Sequence, residues 1–96
     1  MSPLKQKKLN TIRNKLDKLD DKLLGIIKIR FNFVKEVLKL KEYKNEIVDK
    51  KRIDFILKKI KKKSKKKSID SKITYRIWKN MIWSFIDYER RNFKKK

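Results

Sequence analysis

The first part of the chain carries one continuous helical pattern. Apolar residues recur there at alternating spacings of three and four positions, which is the period of about 3.5 that is typical of helices packed lengthwise against one another. These positions, which we name the apolar seam, are Leu9, Ile12, Leu16, Leu19, Leu23 and Ile26 and, by the same count, Arg30, Phe33, Val37 and Leu40. The pattern predicts one helix from about Pro3 to Tyr43, with Gly25 as its one internal breaker.

Two shorter helices are predicted in the rest of the chain. The second helix begins after Asp49, whose side chain suits the N-cap, and ends in a lysine-rich segment, residues 58–68, that separates it from the third helix. The third helix runs from about Ser71 to Asn92. The residues expected on the inner faces are Arg52, Ile53, Ile56, Leu57 and Ile60 in the second helix and Ile73, Ile77, Trp78, Met81, Ile82, Phe85 and Ile86 in the third.

These elements predict a single all-α domain over residues 1–96, with its core at about 9–92. A first helix of roughly 35–40 residues is about 55 Å long at about 1.5 Å per residue, which is too long for a compact monomer of this size. Two shorter helices cannot cover its seam from end to end. We therefore expect a three-helix protomer with one long N-terminal helix, and two such protomers intertwined as a helical homodimer.

The amino-acid composition excludes several fold classes and several kinds of catalytic chemistry. One Gly and one Pro among 96 residues argue against a turn-rich β-sandwich or barrel. The chain has no Cys and no His, so disulfides, thiolate nucleophiles and the commonest general base are excluded, and we expect no metal site. The sequence contains neither a run of about 18 apolar residues nor a signal-peptide core, so we expect no contact with a membrane and a cytoplasmic location.

The chain is strongly basic, with 32 Lys and Arg against 11 Asp and Glu and a formal net charge of +21. Such a surface attracts anions of every kind, including nucleic acid, phosphates and carboxylated metabolites. Much of the excess lies in the lysine run Lys58–Lys67, which is typical of a solvated surface, whereas residues that read bases or phosphates specifically tend to be Arg. A basic helical dimer that binds nucleic acid remains an alternative, but nucleic acid is not the partner that we expect.

Arg30 and Glu89 are charges at positions where the pattern calls for apolar residues. A guanidinium at a seam position is costly unless it is paired, so Arg30 forms an internal ion pair, turns outward or binds an anionic ligand. Lys41 lies on the same predicted helix face as Arg30. Arg13 is about 25 Å from Arg30 along the same helix, so it reaches a ligand held by Arg30 only from a second chain. Glu89 is either salt-bridged to a Lys or Arg or faces the same pocket as a protonated hydrogen-bond donor.

Arg52 adds a fourth cation one turn after the predicted cap at Asp49, near a helix N-terminus that itself favours anions. A set of cations with one acid is poorly suited to hydrolysis or nucleophilic attack. It suits the binding of a multi-carboxylate anion and catalysis by conformational restraint and electrostatic stabilisation alone.

Three groups of residues carry a resemblance to a known family. They are the segment Arg13–Leu24 of the first helix, the series Arg30, Val37, Lys41, Asp49 and Arg52, and the segment Ile77–Glu89 of the third helix. Over roughly residues 9–92 the chain resembles the all-helical chorismate mutase family. The resemblance implies an intertwined homodimer that converts chorismate to prephenate without a cofactor, a step of the shikimate pathway in aromatic amino acid biosynthesis.

The resemblance also implies roles for individual residues. Arg13 would reach one substrate carboxylate from the partner chain, and Arg30 would hold the other carboxylate. Lys41 would bond the ether oxygen, where negative charge develops as the C–O bond breaks. Glu89 stands where many members have Gln and would be the second donor to that oxygen.

Asp49 and Arg52 would line the pocket. Two other positions that the resemblance places in the pocket depart from the mutase pattern. Ile53 stands where most mutases have a Glu that holds the substrate hydroxyl, and Phe85 replaces a small or polar residue. Both departures resemble the related isochorismate–pyruvate lyases, which share the fold and form salicylate. An isochorismate–pyruvate lyase is therefore the alternative to a chorismate mutase.

Overall fold

The computed structural model describes residues 1–94 and contains three α-helices, α1 (Pro3–Leu40), α2 (Lys50–Lys66) and α3 (Ser71–Asn92). A single 3₁₀ turn at Lys44–Glu46 follows α1, and no strand occurs within the described residues. The predicted all-α class with a long N-terminal helix is confirmed. None of the helices in residues 1–94 has the length and apolar content needed to cross a membrane.

The lysine run lies inside α2. The prediction that residues 58–68 separate the second and third helices is wrong, because α2 continues through the run to Lys66. Lysine has a good intrinsic helix propensity, so a run of lysines does not by itself end a helix. The half-buried Ile60 and the buried Ser64 give this part of α2 an inner face that packs on α3.

The end of α2 is a Schellman motif, in which two backbone amides turn back to helix carbonyls. The amide of Ile69 donates to the carbonyl of Ser64 at 2.9 Å, and that of Ser68 donates to the carbonyl of Lys65 at 3.2 Å. Ser68 lies in the left-handed region with a φ of 58°, which usually requires glycine. The motif reverses the chain so that α3 packs back along α2.

The start of α3 is fixed by two polar contacts. Asp70 is its N-cap, and its carboxylate accepts from the backbone amide of Lys72 at 2.9 Å. Thr74 is buried and its hydroxyl lies 2.7 Å from that of Ser64, which in turn donates to the carbonyl of Ile60 at 2.7 Å. The predicted third helix, from Ser71 to Asn92, is confirmed at both ends.

Contacts within the chain divide it into two units, of which the first is Met1–Phe33. This unit is the N-terminal part of α1, and none of its residues is buried. The exposed fractions of its seam residues are about one half, with Ile12 at 55%, Leu16 at 53%, Leu19 at 58%, Leu23 at 53% and Ile26 at 62%. These side chains remain open to solvent in the single chain.

The second unit, from Val34 onward, contains the core. Its buried apolar residues are Ile47, Ile82 and Ile86, and the half-buried residues packed against them are Val48, Ile53, Ile56, Leu57 and Phe93. Arg52, Ile73 and Ile77, which were expected on inner or apolar faces, are exposed in the single chain and do not pack on this core. The reason in α3 is that Thr74 faces α2 and bonds Ser64, which turns the positions on its other side outward.

Candidate active site

A buried ion pair joins two residues that are far apart in the sequence. The ammonium of Lys41 lies 3.0 Å from Oε1 and 3.3 Å from Oε2 of Glu89. The side chains are only 16% and 6% exposed, respectively. Both residues belong to the second unit, so the structure brings together two of the three predicted catalytic side chains.

Lys41 is positioned by the turn that follows α1. Its ammonium also donates to the carbonyl of Ile47 at 3.4 Å. The turn itself is held by Glu46, whose Oε1 accepts from the backbone amides of Glu42 at 3.0 Å and Tyr43 at 2.8 Å. These contacts direct the lysine side chain towards the core of the second unit instead of leaving it in solvent.

Glu89 is positioned by the inner face of α3. It lies three and seven residues after the buried Ile86 and Ile82, a spacing that places all three on one face of the helix. A carboxylate on a side chain that is only 6% exposed is costly at such a place unless it is paired and hydrogen-bonded. The ammonium of Lys41 supplies that pairing with two charge-assisted hydrogen bonds.

The N-terminus of α2 carries two further predicted site residues. Asp49 is the N-cap as predicted, and its Oδ1 accepts from the backbone amide of Arg52 at 3.0 Å. The side chain of Arg52 is solvent-exposed, and its guanidinium carbon lies 5.3 Å from the ring centroid of Phe55. Arg52 therefore packs over an aromatic ring beside it on the same helix.

The two positions that depart from the mutase pattern are half-buried. Ile53 packs against the core formed by Ile47, Ile82 and Ile86. Phe85 lies one turn before Glu89 on α3 and is also half-buried. Neither side chain offers a polar group to a substrate hydroxyl.

The remaining two candidates lie in the first unit. Arg30 is half-buried, which agrees with its seam position, and Arg13 is exposed. The described residues contain no group of three or more His, Cys, Asp or Glu side chains that could hold a metal ion.

Residues 12–90 match the family model for chorismate mutase type II. The chain belongs to this family. All the predicted site residues, from Arg13 to Glu89, lie within the matched range. No curated protein sequence and no solved structure matches the chain. Membership of the family confirms the recognised fold and implies, at the level of the family, an isomerase.

Within this chorismate mutase type II domain, the Lys41–Glu89 ion pair has a direct chemical meaning. The sequence left open whether Glu89 is salt-bridged or faces the pocket of the site lysine. The structure shows that it is salt-bridged, and that its partner is Lys41, the lysine that the resemblance assigns to the site. Within the chain each of these two charges neutralises the other.

Sequence reasoning missed Ile47 and Glu46, which hold the turn around Lys41. The signal for Ile47 was present in the apolar pair Ile47-Val48 just before the cap at Asp49. Val48 and Ile53 occupy the two positions of a hydrophobic staple, and both pack on the same core. Glu46 had no comparable signal, because a carboxylate that accepts from nearby backbone amides looks like any surface acid in the sequence.

Proposed function

We propose that this chain is a chorismate mutase, which rearranges chorismate to prephenate in the cytoplasm without a cofactor. In this reaction the ether C–O bond breaks and a C–C bond forms within one molecule, and no atom enters or leaves. The observation that supports the proposal most directly is the match to the family over residues 12–90, within which the structure brings Lys41 and Glu89 together. A cation and an acid at a place that is largely closed to water suit a reaction catalysed by electrostatics.

The proposed mechanism begins with the two substrate carboxylates. Arg30 of one chain and Arg13 of a second copy hold them, which selects the compact conformer whose reacting carbons are close. Lys41 and Glu89 then donate hydrogen bonds to the ether oxygen, where negative charge grows in the transition state. These bonds are stronger in the transition state than in the ground state, so they lower the barrier. Asp49 and Arg52, at the N-terminus of α2, line the same pocket.

The proposed role of Glu89 requires a proton. The carboxylate of Glu89 accepts from Lys41 in this structure, and a glutamate donates a hydrogen bond only when it is protonated. Glu89→Gln, whose side-chain amide is a donor without an added proton, should keep most of kcat/KM, whereas Glu89→Leu, which has no donor, should lose most of it. Full activity of Glu89→Leu would remove Glu89 from the mechanism.

The proposed homodimer explains the exposed seam of the first unit. Leu16 and Leu23, one heptad apart, are each 53% exposed in the single chain, and a second copy of the same long helix carries a seam of the same period. Such a dimer is needed for the site, because Arg13 and Arg30 are too far apart along one helix to hold one small ligand.

A mixing experiment tests the shared site. Arg13→Ala and Arg30→Ala chains should each lose most activity when alone. After unfolding and refolding together, half of the dimers would be mixed, and each would hold one intact site, so about a quarter of the wild-type activity should return. No recovery, with mixed dimers demonstrated by mass spectrometry of tagged chains, would overturn the cross-chain role of Arg13.

A lyase that releases pyruvate from isochorismate is the second candidate. The observation in its favour is that Ile53 packs against the core and Phe85 is half-buried, so neither position offers a group for the substrate hydroxyl. Supplying chorismate and isochorismate separately distinguishes the two. Prephenate from chorismate supports the mutase, and salicylate with pyruvate from isochorismate alone supports the lyase.

A further inference from the structure

A cavity lies between α2 and the start of α3, lined by residues other than those of the candidate active site. It has a volume of about 510 Å³ and is lined by Leu57, Lys58, Lys61, Ser71, Lys72, Tyr75 and Arg76. This volume is within the range of about 300–1,000 Å³ that is usual for small-molecule sites. All the lining residues belong to the second unit.

The charge on this cavity is unbalanced. Four of its lining residues are cations, and none is an acid. None of the four forms a salt bridge within residues 1–94. Lys58 and Lys61 are three residues apart on α2, and Lys72 and Arg76 are four residues apart on α3. At these spacings the two like charges of each pair lie near each other on the helix surface and repel one another. Anions bound among them would relieve that repulsion.

The cavity also has an aromatic wall. Tyr75 is 46% exposed and lines the cavity beside Leu57. The ammonium of Lys79, on the same helix, lies 5.5 Å from the ring centroid of Tyr75. An exposed aromatic ring among cations is the combination by which proteins stack a base and hold its phosphates.

We propose that this cavity binds a phosphorylated nucleotide unit, with its base on Tyr75 and its phosphates among Lys58, Lys61, Lys72 and Arg76. The proposal goes beyond the proposed isomerase function and does not depend on it, because the two sites share no residue. An anionic membrane fits less well, because the apolar face of α2 is already packed on α3.

The first test asks whether stacking of the base on Tyr75 adds to the attraction between the phosphates and the cations. Calorimetric titrations at physiological salt use magnesium-free ATP, inorganic tripolyphosphate and adenosine. Stacking of a base contributes about 1–3 kcal/mol, so ATP should bind at least about fivefold more tightly than tripolyphosphate. Equal affinities for ATP and tripolyphosphate, or no binding of ATP, would overturn the proposal. An oligoadenylate of about eight nucleotides shows whether the source is a free nucleotide or a single strand, according to which binds more tightly.

The second test separates a site from a diffuse basic surface. K58Q/K61Q removes two cations that line the cavity, whereas K62Q/K66Q removes two exposed lysines of α2 that do not. The first variant should weaken ATP binding at least about tenfold and the second less than about twofold, because only the first removes charge-assisted bonds. Equal weakening by both would mean that the lysines act only as diffuse charge, and would overturn the proposal.

Tyr75→Leu completes the set. It keeps an apolar wall and all charges, and it should reduce the affinity for ATP towards that of tripolyphosphate. Helicity and activity on chorismate serve as folding controls for these variants. A failure of nucleotide binding would leave the proposed isomerase function untouched, since none of the substituted residues belongs to its site.

Discussion

The two units of the chain have apolar patterns of similar regularity but different degrees of burial. In residues 1–33 no residue is buried, and the seam side chains from Ile12 to Ile26 are 53–62% exposed. In the second unit Ile47, Ile82 and Ile86 are 3–6% exposed and form a core with α2. A helical pattern therefore identifies which face of a helix is to be covered, but it does not identify what covers it. In the second unit other helices of the same chain cover that face, whereas in the first unit the seam stays exposed in the single chain.

The largest effect is expected from substitutions that interrupt the apolar seam of the first unit. Burying a Leu side chain contributes about 1.5–3 kcal/mol, and Leu16→Ser with Leu23→Ser removes four such side chains from a homodimer. The dissociation constant of the dimer should rise by more than about a thousandfold. Activity should be lost with it, because each proposed site includes Arg13 of the other copy. Sedimentation velocity over a range of concentrations measures the change.

Asn14→Ser with Lys18→Ser is the matched control. These residues are exposed on the side of α1 away from the seam and should leave both dimerisation and activity unchanged. A wild-type chain that stays monomeric at every concentration and is fully active would show that nothing covers the seam, and would contradict the proposed assembly.

The next largest effect is expected from the second unit, where the ion pair between Lys41 and Glu89 lies beside the apolar core. Lys41→Met leaves Glu89 buried without its cation and should lower the free energy of unfolding by about 2–3 kcal/mol. Lys41→Met combined with Glu89→Leu should cost less than the sum of the single changes, because no unpaired charge then remains. Urea unfolding of the four proteins in this cycle gives the coupling free energy.

The salt bridge between Asp87 and Arg91 is the control on the same helix. Its atoms lie 2.8 Å apart, but the side chains are 66% and 64% exposed. The same double-mutant cycle there should give a coupling of less than about 0.5 kcal/mol, because exposed pairs of this spacing are weak. Equal coupling in both cycles would show that burial does not strengthen the Lys41–Glu89 pair.

Local signals predicted most of the fold. The N-cap at Asp49 and both ends of α3 are where the sequence places them, because capping chemistry and helical period act over a few residues. The end of α2 was misplaced because a lysine run carries no stop signal, and the turn that ends it uses Ser68 instead of the usual glycine. Ile73 and Ile77 belong to the predicted apolar face of α3 but are exposed in the single chain, where Thr74 faces α2.

The candidate site was only partly predictable. Arg30 and Glu89 stand out in the sequence because they interrupt apolar faces, and the resemblance supplied Lys41. The contact between Lys41 and Glu89 joins residues 48 positions apart, and helical period does not carry information over that separation. The role of the Ile47 carbonyl is a property of the backbone, which any residue at that position would offer.

A smaller effect tests how polar contacts act in the two units. Thr74→Val removes a hydroxyl that lies 2.7 Å from Ser64 in a buried place, and should lower the free energy of unfolding by about 1 kcal/mol. Thr11→Val in the first unit removes a hydroxyl that donates to the carbonyl of Lys7 at 3.1 Å, but on an exposed face. That change should stay within about 0.5 kcal/mol. Equal costs measured by urea unfolding would contradict the burial of the Ser64–Thr74 contact.

The smallest expected effects come from two backbone positions with unsuitable residues, one in each unit. Ser68 has a φ of 58°, so Ser68→Gly should raise the free energy of unfolding by about 0.5 kcal/mol, since relief of the strained conformation exceeds the entropy gained by the unfolded chain. Gly25 lies within α1, and a Cβ added there has no atom within 4 Å in the single chain. Gly25→Ala should therefore stabilise the helix by up to about 1 kcal/mol. A loss of stability or of dimerisation would instead place the second copy directly against Gly25, whereas a loss for Ser68→Gly would contradict its left-handed conformation.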